Sequence, residues 1–137
     1  MTEFTYNIEQ IAQVASQVIL QLRSNIVLLY GELGVGKTTL VKELLKQLGV
    51  EGTISSPTYG LIHEYMGKNG PIYHMDCYRL NSTEEAINIG IEEYLDGDGL
   101  LLIEWPEKLH DLIDVKHEIL RLSRNTDNTR TLNLEQT

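Results

Sequence analysis

Apolar residues recur at Ile8, Ile11, Ala12, Ala15, Val18, Ile19 and Leu22. This is the three-and-four spacing of one helix face, and Asn7 with Gln10 three residues on supplies an N-terminal cap. The pattern predicts an amphipathic helix. The period then changes: Ile26 to Tyr30 is an unbroken, partly β-branched apolar run that ends at Gly31, as a strand covered on both faces requires. From 37 to 48 the stripe Leu40, Val41, Leu44, Leu45 and Leu48 predicts a second helix, with Gly49 where a left-handed cap residue belongs. Residues 59–66 and 71–78 read as two strands around the turn 67–70, and Ser82 with Glu85 opens a further helix. The turn 96–99 leads into a strand at 100–104. Residues 117–123 and 130–135 flank the polar stretch 124–129 as a terminal strand pair. Alternating strands and helices predict an α/β fold with a mainly parallel central sheet, helices on its faces and antiparallel hairpin additions.

Composition narrows this picture. A chain of 137 residues, 42% of them hydrophobic, suits one core, and no linker or internal repeat divides it, so a single domain over 1–137 is expected. Its apolar runs fall far short of the ~20 residues that cross a bilayer. Residues 1–4 lack the basic and apolar regions of an export signal, and the lone Cys77 offers no disulfide framework. A cytoplasmic setting follows as the expectation. The formal charge of −9 argues against direct grip on a nucleic-acid backbone, which needs clustered Lys and Arg to displace counterions.

The chemistry begins at the end of the first predicted strand. Gly31-Glu32-Leu33-Gly34-Val35-Gly36-Lys37-Thr38 satisfies G-x-x-x-x-G-K-[ST] and lies between a predicted strand and a predicted helix, the context in which this motif cradles phosphates. The backbone of Leu33, Gly34, Val35 and Gly36 would turn successive N–H groups toward phosphate oxygens, and the helix start adds its positive dipole end. Lys37 would bridge β- and γ-phosphate oxygens, the Thr38 hydroxyl would bind Mg²⁺, and Thr39 would reach the α-phosphate. These residues predict a nucleoside triphosphate and Mg²⁺ as ligands, making the chain a P-loop NTPase, and the absence of the Asn-Lys-x-Asp pattern of guanine readers lowers GTP against ATP without deciding between them.

Hydrolysis needs a second hold on the metal and an oriented water. Glu104 ends the run Leu100-Leu101-Leu102-Ile103, where a metal-binding acid sits in P-loop folds; its alternative is a surface carboxylate. In His74-Met75-Asp76-Cys77-Tyr78-Arg79, strand alternation puts His74, Asp76 and Tyr78 on one face and Tyr73, Met75 and Cys77 on the other. Asp76 would orient the attacking water or support the metal, or else cap a neighbouring group. His74 either tunes Asp76 or packs in the core, and Arg79 either stabilises phosphate charge or pairs with the acids between 84 and 93. Thr58, in Ser56-Pro57-Thr58-Tyr59, would carry a hydroxyl toward the nucleotide, or begin the next strand. Trp105 is a cover or a core residue, and Cys77 reads as buried filler.

Together the segments 31–39, 56–59, 74–80 and 102–106 resemble the bacterial TsaE family, also called YjeE, over roughly residues 5–115 in order. The resemblance implies an ATPase required for threonylcarbamoylation of the adenosine beside the anticodon in tRNAs that read codons beginning with A. It implies action on a complex of TsaD, which transfers the group, and TsaB, with tRNA met only through those partners. Carried across, the family's magnesium-binding threonine falls on Thr38, its metal-binding glutamate on Glu104 and its required aspartate on Asp76, while Thr58 lies near the nucleotide. Two other readings stay open: a small kinase passing the γ-phosphate to a metabolite, and a module that docks according to bound nucleotide with little turnover of its own.

Overall fold

The computed structural model describes residues 2–32, 34–52 and 62–136. In chain order the elements are strand β1 (Thr2–Tyr6), a 3-10 turn (Ile8–Gln10), helix α1 (Ile11–Gln21), β2 (Ile26–Tyr30), α2 (Lys37–Gln47), β3 (Ile62–Gly67), β4 (Gly70–Asp76), α3 (Thr83–Asn88), α4 (Ile91–Asp96), β5 (Leu100–Glu104), a 3-10 helix (Pro106–Leu112), β6 (Glu118–Arg124) and β7 (Arg130–Gln136). One seven-stranded sheet runs β1-β7-β6-β2-β5-β4-β3. Its four central strands, β6, β2, β5 and β4, pair in parallel. Antiparallel pairing adds β3 at one side and β7 with β1 at the other.

The apolar run of β2 explains its central place. Val27 and Leu29 face a core shared with Val14, Ala15 and Val18 of α1 and Leu40, Val41, Leu44 and Leu45 of α2. Ile26 and Leu28 face the opposite core, with Met75, Cys77, Ala86, Ile91, Leu101, Ile103 and Leu109. A strand buried on both faces has no polar side to alternate with, hence the continuous hydrophobic run. Complete burial of one such Leu or Ile stabilises by about 1.5–3 kcal/mol, so these two layers fix the sheet under the helices.

The expected caps are present: Asn7 accepts from the Gln10 N–H while the Gln10 side chain accepts from the Asn7 N–H, and Ser82 accepts from the Glu85 N–H. The first helix departs from expectation by opening as a 3-10 turn, and its α-helical part ends at Gln21, before Leu22. Strand β4 stops at Asp76 rather than 78: the Cys77 N–H makes the last ladder bond, to the Glu104 carbonyl, and the Asp76 carboxylate then accepts the Tyr78 N–H in a local turn. Of the strand expected at 59–66, residues 59–61 lie outside the described residues. Three elements were not anticipated from the sequence, the edge strand β1, the short helix α4 and the 3-10 helix Pro106–Leu112. Among the described residues no helix is long and apolar enough to cross a membrane.

Candidate functional site

The parallel centre brings three strand ends to one place. Leu29 of β2 lies opposite Glu104 of β5, which lies opposite Asp76 of β4. Beyond β2 the chain turns through Gly31 to Gly36 directly into α2. This is the crevice at the carboxyl ends of parallel strands where α/β sheets hold ligands. Gly36 stands at φ 108 and caps α2 without a side chain. Its carbonyl accepts the first helical bond, from the Leu40 N–H, leaving the N–H groups of the first turn without intrahelical partners. Gly31 meets a different constraint: a β-carbon there would lie 2.8 Å from Val35 Cγ1 and 3.0 Å from the Leu122 carbonyl oxygen. The loop folds too closely onto β6 for any larger residue.

Lys37 is only 5% exposed. Its Nζ donates to the Gly31 carbonyl at 2.5 Å and sits 3.4 Å from the centre of the Trp105 ring. Burial lowers its pKa, with Glu104, Glu107 and Asp76 pulling the other way. Trp105 holds the left-handed backbone conformation, φ 55 and ψ 54, ahead of Pro106. That conformation costs a non-glycine residue roughly 1–2 kcal/mol. It turns the ring under the lysine and against Tyr78, 4.9 Å away between ring centres.

The Thr38 hydroxyl lies 3.4 Å from Glu104 Oε1, and the other carboxylate oxygen, Oε2, lies 2.5 Å from His74 Nε2. Glu104 and His74 are both almost fully buried. Asp76 borders the same cavity of about 230 Å³ as Lys37, Thr38, Thr39, Glu104 and Trp105. The strand alternation read from the sequence is seen here: Met75 and Cys77 pack in the opposite core. Cys77 is buried filler as expected, its thiol pushed up to about 12, first by burial and then by Asp76. Arg79 is exposed. Leu33 and Thr58 lie outside the described residues.

A second cavity of about 420 Å³ adjoins the loop at Gly34, Gly36 and Thr39, walled by Tyr6 and Ile11 on one side and the β6–β7 turn, with Asn128 and Arg130, on the other. Two residues missed by the sequence reading brace the loop from this turn. Arg130 Nε donates to the Val35 carbonyl at 2.8 Å and Arg124 Nη2 to the Gly34 carbonyl at 3.3 Å. They lie 95 and 90 residues from their partners, so no local pattern signals them.

A glycine-rich turn between a parallel strand and a helix, with a buried lysine, a hydroxyl and a carboxylate converging on the helix start, defines a mixed α/β protein with this strand–loop–helix at the centre of its sheet. The family model described as threonylcarbamoyl adenosine biosynthesis protein TsaE matches residues 5–132, and the chain belongs to that family. It is 43% identical over 96 residues to the tRNA threonylcarbamoyladenosine biosynthesis protein TsaE of Haemophilus influenzae, a match covering 68% of this chain; the chain spans 61% of that relative's length. The protein of the same name in Rickettsia bellii is 43% identical over 112 residues, 81% of this chain and 77% of that protein. The crystal structure of YdiB from Bacillus subtilis superposes with a TM-score of 0.75 at 26% identity, covering 97% of this chain and 84% of that one.

Proposed function

We propose that this chain is a magnesium-dependent P-loop ATPase that serves threonylcarbamoylation of tRNA by acting on the TsaB–TsaD complex in the cytoplasm. The observation that carries the reading is the convergence of Lys37, Thr38 and Glu104 at the uncapped start of α2. First-turn N–H groups and the helix dipole favour a phosphate there. Lys37, with its charge held back by burial, gains more from a phosphate oxygen than from the neutral Gly31 carbonyl it now bonds. The nucleotide base would enter the larger cavity between Tyr6 and the β6–β7 turn, with Thr39 at the junction of the two spaces.

The donor set suits magnesium. Thr38 Oγ1 and Glu104 Oε1 are hard oxygens 3.4 Å apart, close enough to share one ion, and Mg²⁺ takes few protein oxygens beside phosphate and water. When bound, the metal neutralises charge on the phosphate oxygens during transfer. Thr38 and Glu104 would hold it, and Asp76, across the cavity floor, would accept a proton of the attacking water and aim its oxygen at the γ-phosphate. Among the described residues no arginine borders the smaller cavity, so turnover by the chain alone is expected to be slow and to rise when a partner completes the site.

The test is steady-state ATP hydrolysis by wild type, Lys37→Ala, Asp76→Ala and Glu104→Ala, each with and without purified TsaB and TsaD. The expected outcome is stimulation by the partners in wild type and a loss of about 10²-fold or more in each variant. ATP bound with the rate untouched by the partners would refute action on that complex. Phosphate appearing on an added metabolite rather than in water would favour the kinase reading.

A further inference from the structure

Glu104 carries two oxygens in different surroundings, and His74 accounts for the difference. His74 stands two residues before Asp76 on β4, opposite Leu102 of β5 and on the same sheet face. Its ring therefore lies one layer beneath the cavity, on the core side of the Glu104 carboxylate. Both side chains are at most 3% exposed, and with Glu104 ionised it is the Nε2–H of His74 that donates, at 2.5 Å, to Oε2. The opposite ring nitrogen, Nδ1, is buried and has no hydrogen-bond partner among the described residues. Among those residues, packing and the bond to Oε2 orient the imidazole.

We infer that His74 is a positioning residue for the metal site: by occupying Oε2 it fixes the carboxylate so that Oε1 alone faces Thr38 and the ion. This rests on Glu104 being a metal ligand as proposed above. Donors that hold a ligating group by its far side set its orientation, and losing them weakens metal binding about 10- to 100-fold. The alternative here is a histidine that only satisfies a buried carboxylate for the sake of the fold. The two roles part at the metal. A carboxylate released from His74 has Lys37 close enough for charge to be felt. Turning toward that cation would withdraw Oε1 from Thr38 while leaving the phosphate loop intact.

The experiment uses the full chain with AMPPNP as the nucleotide and Mn²⁺ as the metal, free Mn²⁺ being read by electron paramagnetic resonance. For His74→Leu the expected result is Mn²⁺ affinity lower by about 10-fold or more, with metal-free AMPPNP binding unchanged. His74→Gln, whose amide nitrogen sits where Nε2 does, restores most of the affinity. Unchanged Mn²⁺ affinity in folded His74→Leu, or equal loss in the Leu and Gln variants, overturns the inference. If His74→Leu does not fold, His74→Asn replaces it, its shorter amide falling short of Oε2, and the same two outcomes decide. Proton NMR of the nucleotide-free protein separates this inference from the nucleotide reading. A downfield His74 Nε2–H signal, kept in Lys37→Ala and lost in Glu104→Leu, supports the bond whether or not AMPPNP binds, and its absence from wild type overturns the inference.

Discussion

Lys37 is where burial, charge and ligand meet in one side chain. Its folded pKa is lowered from the ordinary 10.5, first by burial, with Glu104, Glu107 and Asp76 opposing. The sign follows: as pH rises toward 10.5, the folded chain releases this proton before the unfolded chain does. The unfolded state then holds more protons, and stability rises with pH in that window. At neutral pH the buried ammonium is a local cost that a phosphate would relieve by favouring the charged form. Nucleotide binding is therefore expected to take up protons at alkaline pH below 10.5. Calorimetry in buffers of different ionisation enthalpy measures this directly, and proton release on binding would contradict the placement of phosphate at Lys37. The lysine's importance was legible from the motif. Its cover was half legible: Trp105 stood open as a cover or a core residue, because it reaches the lysine through a left-handed turn after β5 that neither periodicity nor composition reveals.

At the scale of elements, β2, α2 and β5 were readable because each is long and apolar enough to carry its period, and the glycines between β2 and α2 mark a turn with a chemical purpose. Strand β1 offers only Phe4 and Tyr6 as apolar positions in five residues, and α4 spans six, under two turns. Neither is long enough to establish a repeat. What remained hidden was also what holds the phosphate loop from outside. The β6–β7 hairpin sends Arg130 to the Val35 carbonyl and Arg124 to the Gly34 carbonyl, so an antiparallel addition at the sheet's flank braces the central loop. A hydrogen bond from a charged group contributes about 1.5–3 kcal/mol. Arg130→Ala is therefore expected to weaken nucleotide binding by about 10-fold or more. Its guanidinium also borders the larger cavity, so a metal-free nucleotide titration should show the loss as clearly as one with Mg²⁺. Affinity within twofold of wild type would mean that the loop keeps its shape without this brace.

At the scale of the molecule, the sheet order places β2 between β5 and β6, although these strands lie far apart in sequence. No local pattern announces that adjacency, yet it assembles the lysine, the hydroxyl and both carboxylates at one end of the sheet. The balance of charge is equally a property of the whole: twenty acidic against eleven basic residues. Two of those cations, Arg124 and Arg130, are already engaged with the phosphate loop, and Lys37 is buried at its end. RNA binding gains most of its affinity from cations that displace counterions, and non-specific complexes at physiological salt have dissociation constants of about 10⁻⁴–10⁻⁶ M even for basic proteins. A chain of net charge −9 should fall on the weak side of that range. In gel shift near physiological salt, tRNA is expected to leave the isolated protein free and its ATP turnover unchanged. Any effect of tRNA should then emerge only after TsaB and TsaD are added, since they would supply the surface this chain lacks. Retention of tRNA by the protein alone at submicromolar concentration would reverse the order of contacts. The nucleotide site would then have to be understood as acting on RNA directly rather than on a protein that holds it.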